Sequence, residues 1–170
     1  MKRIILLLAG TLLLGGVQAQ TLTVGMAGEA VTLNPHATND QPSARVMRQV
    51  YDTLIVQTEE LELEPGLAES WEQIDPLTWE FSIRQGVTFH DGSELTANDV
   101  KWTLDHLRDP EVAAPAAFLV GFIDNIEVVD DYTVRITTQY EFVPMLAHLA
   151  HTATSILSEA AFTAAGDDYG

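Results

Sequence analysis

Cysteine is absent from this 170-residue sequence and cations are scarce: 8 Lys plus Arg stand against 25 Asp plus Glu, a formal charge of -17. Without a thiol there is no disulfide, no cysteine nucleophile, no cysteine-ligated zinc and no acylated lipoprotein cysteine. A surface for nucleic acid or anionic lipid needs clustered positive charge, and six of the eight basic residues lie singly. Both partners are therefore excluded. Also missing are a G-x-S-x-G elbow, a P-loop and a dinucleotide fingerprint, since Gly25 and Gly28 lack a third glycine at the right offset. No internal repeat or low-complexity linker interrupts the chain. Hydrophobic residues, by contrast, make up 46%, well above the level at which chains stay disordered. The length suits one domain or part of one.

The longest apolar run opens the chain. Met1 is followed by Lys2 and Arg3, then by the run from Ile4 to Leu14, then by small residues ending Val17-Gln18-Ala19. A cationic start, a short apolar core and a V-x-A site define a secretory signal peptide over residues 1–19. A membrane-spanning helix needs about 20 apolar residues, and Gly10, Gly15 and Gly16 interrupt this run. The mature chain is expected to begin at Gln20, to be exported and strongly acidic, and to make no direct membrane insertion after cleavage.

Residues 21–26 (TLTVGM) alternate Leu22, Val24 and Met26, the period of a half-buried strand. The Gly-, Asn-, Pro- and Asp-rich loop that follows is a common position for binding residues. From Pro42, the residues Val46, Met47, Val50, Tyr51 and Leu54 recur at helical intervals, with Asp40 as the cap. Glu59, Glu60, Glu62 and Glu64 alternate with Leu61 and Leu63, which reads as a solvated edge strand rather than a cation site.

A meander of strands is expected next: LAESWEQI, a turn at Asp75-Pro76, TWEFSIR, a turn at Gln85-Gly86, a short VTF strand and a turn at His90-Asp91-Gly92. Thr96 and Asp99 have capping-box spacing, and Val100, Thr103, Leu104 and Leu107 keep one helical face apolar until Asp109-Pro110 stops the helix. A hairpin follows around Asp130-Asp131, then short helices from Met145 to Leu149 and from Glu159 to Ala165, the last capped by Ser158. The class read from the residues is α/β or α+β.

Chemistry is thin. His90-Asp91 suggests a carboxylate orienting a general base, but adjacent residues in a turn rarely face each other, and Gly92 marks the turn. His148 and His151 are spaced i, i+3 with no Glu between them and no third ligand nearby, so isolated histidines are preferred to zinc. Carboxylates are so abundant that any pair resembling a glycosidase dyad carries no weight. The expectation is a protein that is not an enzyme and holds no cofactor or metal.

Three stretches together resemble one family: residues 37–55 (ATNDQPSARVMRQVYDTLI), residues 65–100 and residues 128–136 (VVDDYTVRI). They are similar to the N-terminal part of the family 5 extracytoplasmic solute-binding proteins, the binding subunits of dipeptide, oligopeptide, nickel and glutathione ABC importers. The second stretch carries the family's signature in Gly66-Leu67-Ala68, Trp71, the alternation through Ile83-Arg84, Gly86, Phe89, Asp91-Gly92 and Asp99-Val100. The resemblance covers essentially the whole mature chain, and the peptide and glutathione members look nearest.

The resemblance implies an α/β fold of the two-lobed, class II periplasmic binding protein type. Residues 20–170 would supply the first part of lobe one, with an extra subdomain over about residues 61–138. It implies a periplasmic or extracytoplasmic protein that closes on a small peptide or glutathione-like ligand and delivers it to an ABC permease in the membrane. The family's ligand-lining loop maps onto Ala27, Gly28, Glu29 and Ala30. Backbone donors there would hold carboxylate or amide groups, and Glu29 would either pair with a ligand ammonium or remain a surface carboxylate. Family chains run much further, so the sequence is expected to be a fragment or a truncated reading frame. The competing reading within the family is a nickel or oligosaccharide carrier. Outside it stands a secreted hydrolase using His90-Asp91 or His148 and His151, for which no nucleophile motif is present.

Overall fold

The structure, a computed structural model, describes residues 23–170, apart from the side chain of Asp167. The leader and the first two residues of the expected strand lie outside the described residues. The rest of that strand does not form: residues 23–26 pair with nothing described, and Val24 is 71% and Met26 47% exposed. Alternation alone does not make a strand, because the ladder needs a neighbouring backbone, and no described segment provides one.

Helix α1 (Gln41–Met47) starts where Asp40 caps it, Oδ1 accepting from the Ser43 amide at 2.9 Å, with Pro42 in its first turn. The helical spacing was expected to continue to Leu54, but the helix ends at Met47. There the Gln49 and Val50 amides bond only three residues back, to the Val46 and Met47 carbonyls, and this tightened turn releases the chain. Leu54, only 1% exposed, instead enters the core just before β1 (Ile55–Gln57).

Strand β1 pairs antiparallel with β2 (Leu63–Pro65). The acidic stretch expected as an edge strand is mostly the turn between them. Leu61 takes a left-handed φ of 66°, and the Thr58 amide donates to the Glu62 carbonyl at 2.9 Å. Glu59 and Glu60 therefore sit on the turn, and pairing resumes only at Leu63.

The main sheet contains β3 (Ala68–Asp75), β4 (Thr78–Ile83), β5 (Ile123–Asp130) and β6 (Thr133–Thr138), antiparallel in the order β3-β4-β6-β5. Asp75 makes the first tight turn, its Oδ1 accepting from the Leu77 and Thr78 amides at 2.9 and 3.0 Å. Alternation then sorts the faces as expected. Phe81, Ile83, Val134 and Ile136 are buried. On the other face the register aligns Glu80, Arg135 and Glu127, and Arg135 reaches Glu80 at 2.7 Å and Glu127 at 3.8 Å. The expected VTF strand is reduced to a single bridge between Thr88 and Glu94, because the turn at Gly92 (φ 86°) folds the chain back before a ladder can extend.

Helix α2 (Ala97–Arg108) begins in a capping box of Thr96 and Asp99, with Asp99 Oδ2 accepting from the Thr96 amide and hydroxyl, each at 3.0 Å. It packs on β5 and β6 through Val100, Leu104 and Leu107, which are fully buried with Phe81, Ile126, Val134 and Ile136. Each such side chain contributes about 1.5–3 kcal/mol relative to exposure. The helix stops before Pro110, and α3 (Met145–His148) and α4 (Glu159–Ala165) follow, the latter capped by Ser158. Between them residues 152–158 are buried throughout.

Candidate functional site

The loop expected to line a ligand runs along the first turn of α1. Gly28 is half-buried there, and a Cβ added to it would lie 3.1 Å from Pro42 Cγ. Just beyond, the Val31 amide donates to the buried Ser43 hydroxyl at 3.0 Å, which ties the loop to the helix. Ala30 is half-buried, while Ala27 and Glu29 are exposed. Glu29 enters none of the ion pairs among the described residues. The four residues are thus contiguous, pinned at one end and open at the carboxylate.

Two open clefts flank Tyr51 and Asp52, and neither was visible in the sequence. The first, of about 350 Å³, has an apolar body that includes Leu67, Phe89, Leu95 and Ile156 and a polar edge that includes Asp52, His90, Asp91 and Tyr169. Burial first, then a hydrogen bond with Tyr51, pushes the Tyr169 phenol upward and keeps it protonated. The second, of about 520 Å³, is more polar and includes Arg48, Asp52, Gln57, Glu59 and Ser155. Arg48 is fixed on its wall by donating from Nε to the Thr152 hydroxyl at 2.9 Å. Each cleft gathers side chains from segments separated by dozens of residues, so no local spacing announces it.

The histidines go to separate places. Asp91 bonds to Ser93 rather than to His90: its Oδ1 accepts from the Ser93 hydroxyl at 2.6 Å and the Ser93 amide at 2.9 Å, bonds that, with a smaller contribution from the His90 charge, hold its carboxyl below the usual range. Ser158 lines the same cleft as His90, but its hydroxyl accepts from the Ala161 amide at 3.2 Å to cap α4. His148 Nδ1 lies 2.9 Å from the Leu119 carbonyl, whereas His151 Nδ1 accepts from the Ala153 amide at 3.1 Å. Burial, then the Arg48 and His148 charges, lowers the His151 pKa. Among the described residues no three His, Asp or Glu side chains converge to hold a metal ion. No described helix is long and apolar enough to cross a membrane.

Comparison with known proteins gives this arrangement a family. Residues 62–169 match the model of the bacterial extracellular solute-binding proteins, family 5 Middle. The chain is 33% identical over 153 residues to the glutathione-binding protein GsiB of Pectobacterium atrosepticum and of Escherichia coli K12, a match spanning 89% of this chain and 30% of each relative. Among solved structures, OppA of Burkholderia pseudomallei superposes with a TM-score of 0.79 at 22% identity, over 84% of this chain and 31% of that one. The Haemophilus influenzae OppA complex with RPPGFSPFR gives 0.77 at 27%, over 82% and 31%. AgaA of A. tumefaciens R10, bound to agropinic acid, gives 0.77 at 30%, over 83% and 29%.

These neighbours are two-lobed periplasmic binding proteins, and the relatives are solute-binding proteins rather than enzymes. The chain spans about 30% of the length of the curated relatives it matches. The matched segment runs from the β1–β2 turn through the four-stranded sheet and the capped helix α2 to Tyr169, and it includes all of the first cleft's lining except Val50, Tyr51, Asp52 and Gly170. The chain belongs to the bacterial extracellular solute-binding proteins, family 5.

Proposed function

We propose that this chain carries the first part of an extracytoplasmic binding subunit of an ABC importer, which captures a small peptide or glutathione and delivers it to a membrane permease. The observation that carries this reading is the 33% identity, along nearly the whole chain, to proteins named for binding glutathione. The neighbour bound to RPPGFSPFR adds support for a peptide. In this reading Ala27, Gly28, Glu29 and Ala30 form one wall of the ligand site. The open Glu29 carboxylate pairs with a ligand ammonium, and the backbone amides beside it hold a carboxylate or amide. Residues 61–138, with the sheet and α2, serve as a supporting subdomain. No bond is made or broken: the work is capture, transfer and release.

Export by a cleaved leader belongs to the same reading. The test takes the protein from the exported fraction of its own cells and examines it by native mass spectrometry. The expected result is a chain beginning at Gln20 that carries, or takes up, an intact ligand of peptide or glutathione mass. An intact Met1 in a cytoplasmic fraction would contradict export. Cleavage of an added dipeptide, lost on His90→Ala, would replace the reading with a hydrolase.

A further inference from the structure

His36 lies in the loop ahead of α1 and His106 lies on α2, yet their Nδ1 atoms are 2.8 Å apart. At that distance one nitrogen donates and the other accepts, so the neutral pair shares a single hydrogen. His36 is 2% exposed, and its Nε2 is buried without a partner. An orphaned buried N–H is rarer and costlier than an unused lone pair. The hydrogen of His36 therefore sits on Nδ1 and is donated to His106. Aromatic rings enclose the acceptor: Trp102 stacks on His106 at 4.8 Å, and Phe162 of α4 meets it edge-on at 4.7 Å.

Protons undo this arrangement in two steps. A proton on His106 Nδ1 makes it the donor, and His36 must then accept at Nδ1 and carry its hydrogen at Nε2, where nothing receives it. A second proton sets two N–H groups against each other across 2.8 Å, which the closed geometry does not hold. Asp109, at the end of α2, is the charged group that favours a cation on His106. Asp105 on the same helix is committed to Lys101 at 2.6 Å and Arg108 at 2.8 Å. The charge that acts on His36 is that of His106 itself. Burial first, then His106, holds His36 down to about 3, and burial also lowers His106 against the pull of Asp109.

We propose that the His36–His106 contact is an acid-opened latch: it pins residues 31–40 to α2 through His36 at neutral pH and loosens that attachment as pH falls below about 6.5, while the Val31 bond to Ser43 and the Thr32 and Leu33 bonds to the Gly170 carbonyl involve no histidine. This does not depend on which ligand the protein carries. The sign follows from linkage. A released histidine takes up its proton near pH 6.5, whereas in the closed pair His36 resists until far lower pH and His106 is held below its ordinary value. Closure is therefore fully supported above that value. Below it, closure weakens about tenfold per pH unit for each histidine that gains a proton on opening.

Hydrogen exchange of the full chain between pH 7.5 and 4.5, corrected for intrinsic rates, reads the opening of residues 31–40 against β4 and β6 as reference. The expected result is constant protection above pH 6.5, then a loss of tenfold to a hundredfold per unit in residues 31–40 while the sheet is unchanged. His36→Gln and His106→Gln remove the titrating rings and should each flatten that slope. If these variants fold poorly, imidazole NMR of the unaltered chain decides, with the His36 ring expected to stay neutral for as long as residues 31–40 stay protected. Flat protection in the unaltered chain, an undiminished slope in both variants, or His36 titrating near pH 6.5 inside a protected segment would each overturn the latch.

Discussion

The Thr103 hydroxyl accepts from the Leu157 amide at 3.0 Å and donates to the Leu157 carbonyl at 3.3 Å, joining α2 to the buried segment before α4 across 54 residues of sequence. Both partners are buried, so neither backbone group has water to fall back on. Thr103→Val keeps the shape but removes both bonds. Leaving two buried groups unmet should cost about 2–4 kcal/mol, read as a lower denaturant midpoint at unchanged slope. Thr103→Ser should restore most of the loss.

At the N-terminal end of α2, Asp99 Oδ2 receives the Thr96 amide and hydroxyl together. Thr96→Ala should lower stability by about 1 kcal/mol. An unchanged denaturation midpoint would show that the carboxylate alone is a sufficient cap.

Gly66 has no room for a side chain. A Cβ there would lie 2.5 Å from the Thr53 carbonyl oxygen and 3.0 Å from that of Leu54, because the amides of Gly66, Leu67 and Ala68 all bond back to those two carbonyls. Gly66→Ala should therefore separate β2 and β3 from the Thr53–Leu54 backbone and cost more than about 1 kcal/mol. Thermal unfolding measures it, and a neutral result would mean that this close approach is not maintained in solution.

The parts of the fold legible in the sequence are those governed by local rules. Asp40, Thr96 and Ser158 cap where capping chemistry places them, Asp75 and Asp91 turn the chain, and the alternation around Phe81 and Val134 sorts the two faces of the sheet. What failed depended on distant partners. Val24 and Met26 alternate correctly but have no described neighbour to pair with, and Leu54 keeps helical spacing while belonging to a strand entry. Thr103, read with Val100, Leu104 and Leu107 as part of an apolar helical face, is instead a polar tie across the core. The clefts around Tyr51 and the His36–His106 contact were not legible either, because each unites segments that only folding brings together.

The solved neighbours are two-lobed, and the chain spans about 30% of their length. A closing binder gains affinity by covering most of its ligand between two walls, whereas one wall leaves the ligand hydrated while the entropic cost of capture remains. The segment Gln20–Gly170 produced alone should therefore bind no di- or tripeptide tightly. It should also tend to aggregate, with Val24 and Met26 exposed. Light scattering with calorimetric titration checks both, and a monomeric, cooperatively folding segment with micromolar affinity would refute them.

The proposed function comes down to binding without chemistry, with Glu29 pairing with a ligand ammonium. Calorimetric titration of the whole binding subunit of which this chain would be the first part, recovered from the exported fraction, against glutathione, di- and tripeptides and agropinic acid, is the decisive measurement. One saturable site of micromolar or tighter affinity for a peptide or glutathione, recovered intact, is expected, with a loss of about tenfold, or 1.4 kcal/mol, in Glu29→Gln for ligands with a free ammonium. No heat across the whole panel, or affinity indifferent to Glu29, would contradict it.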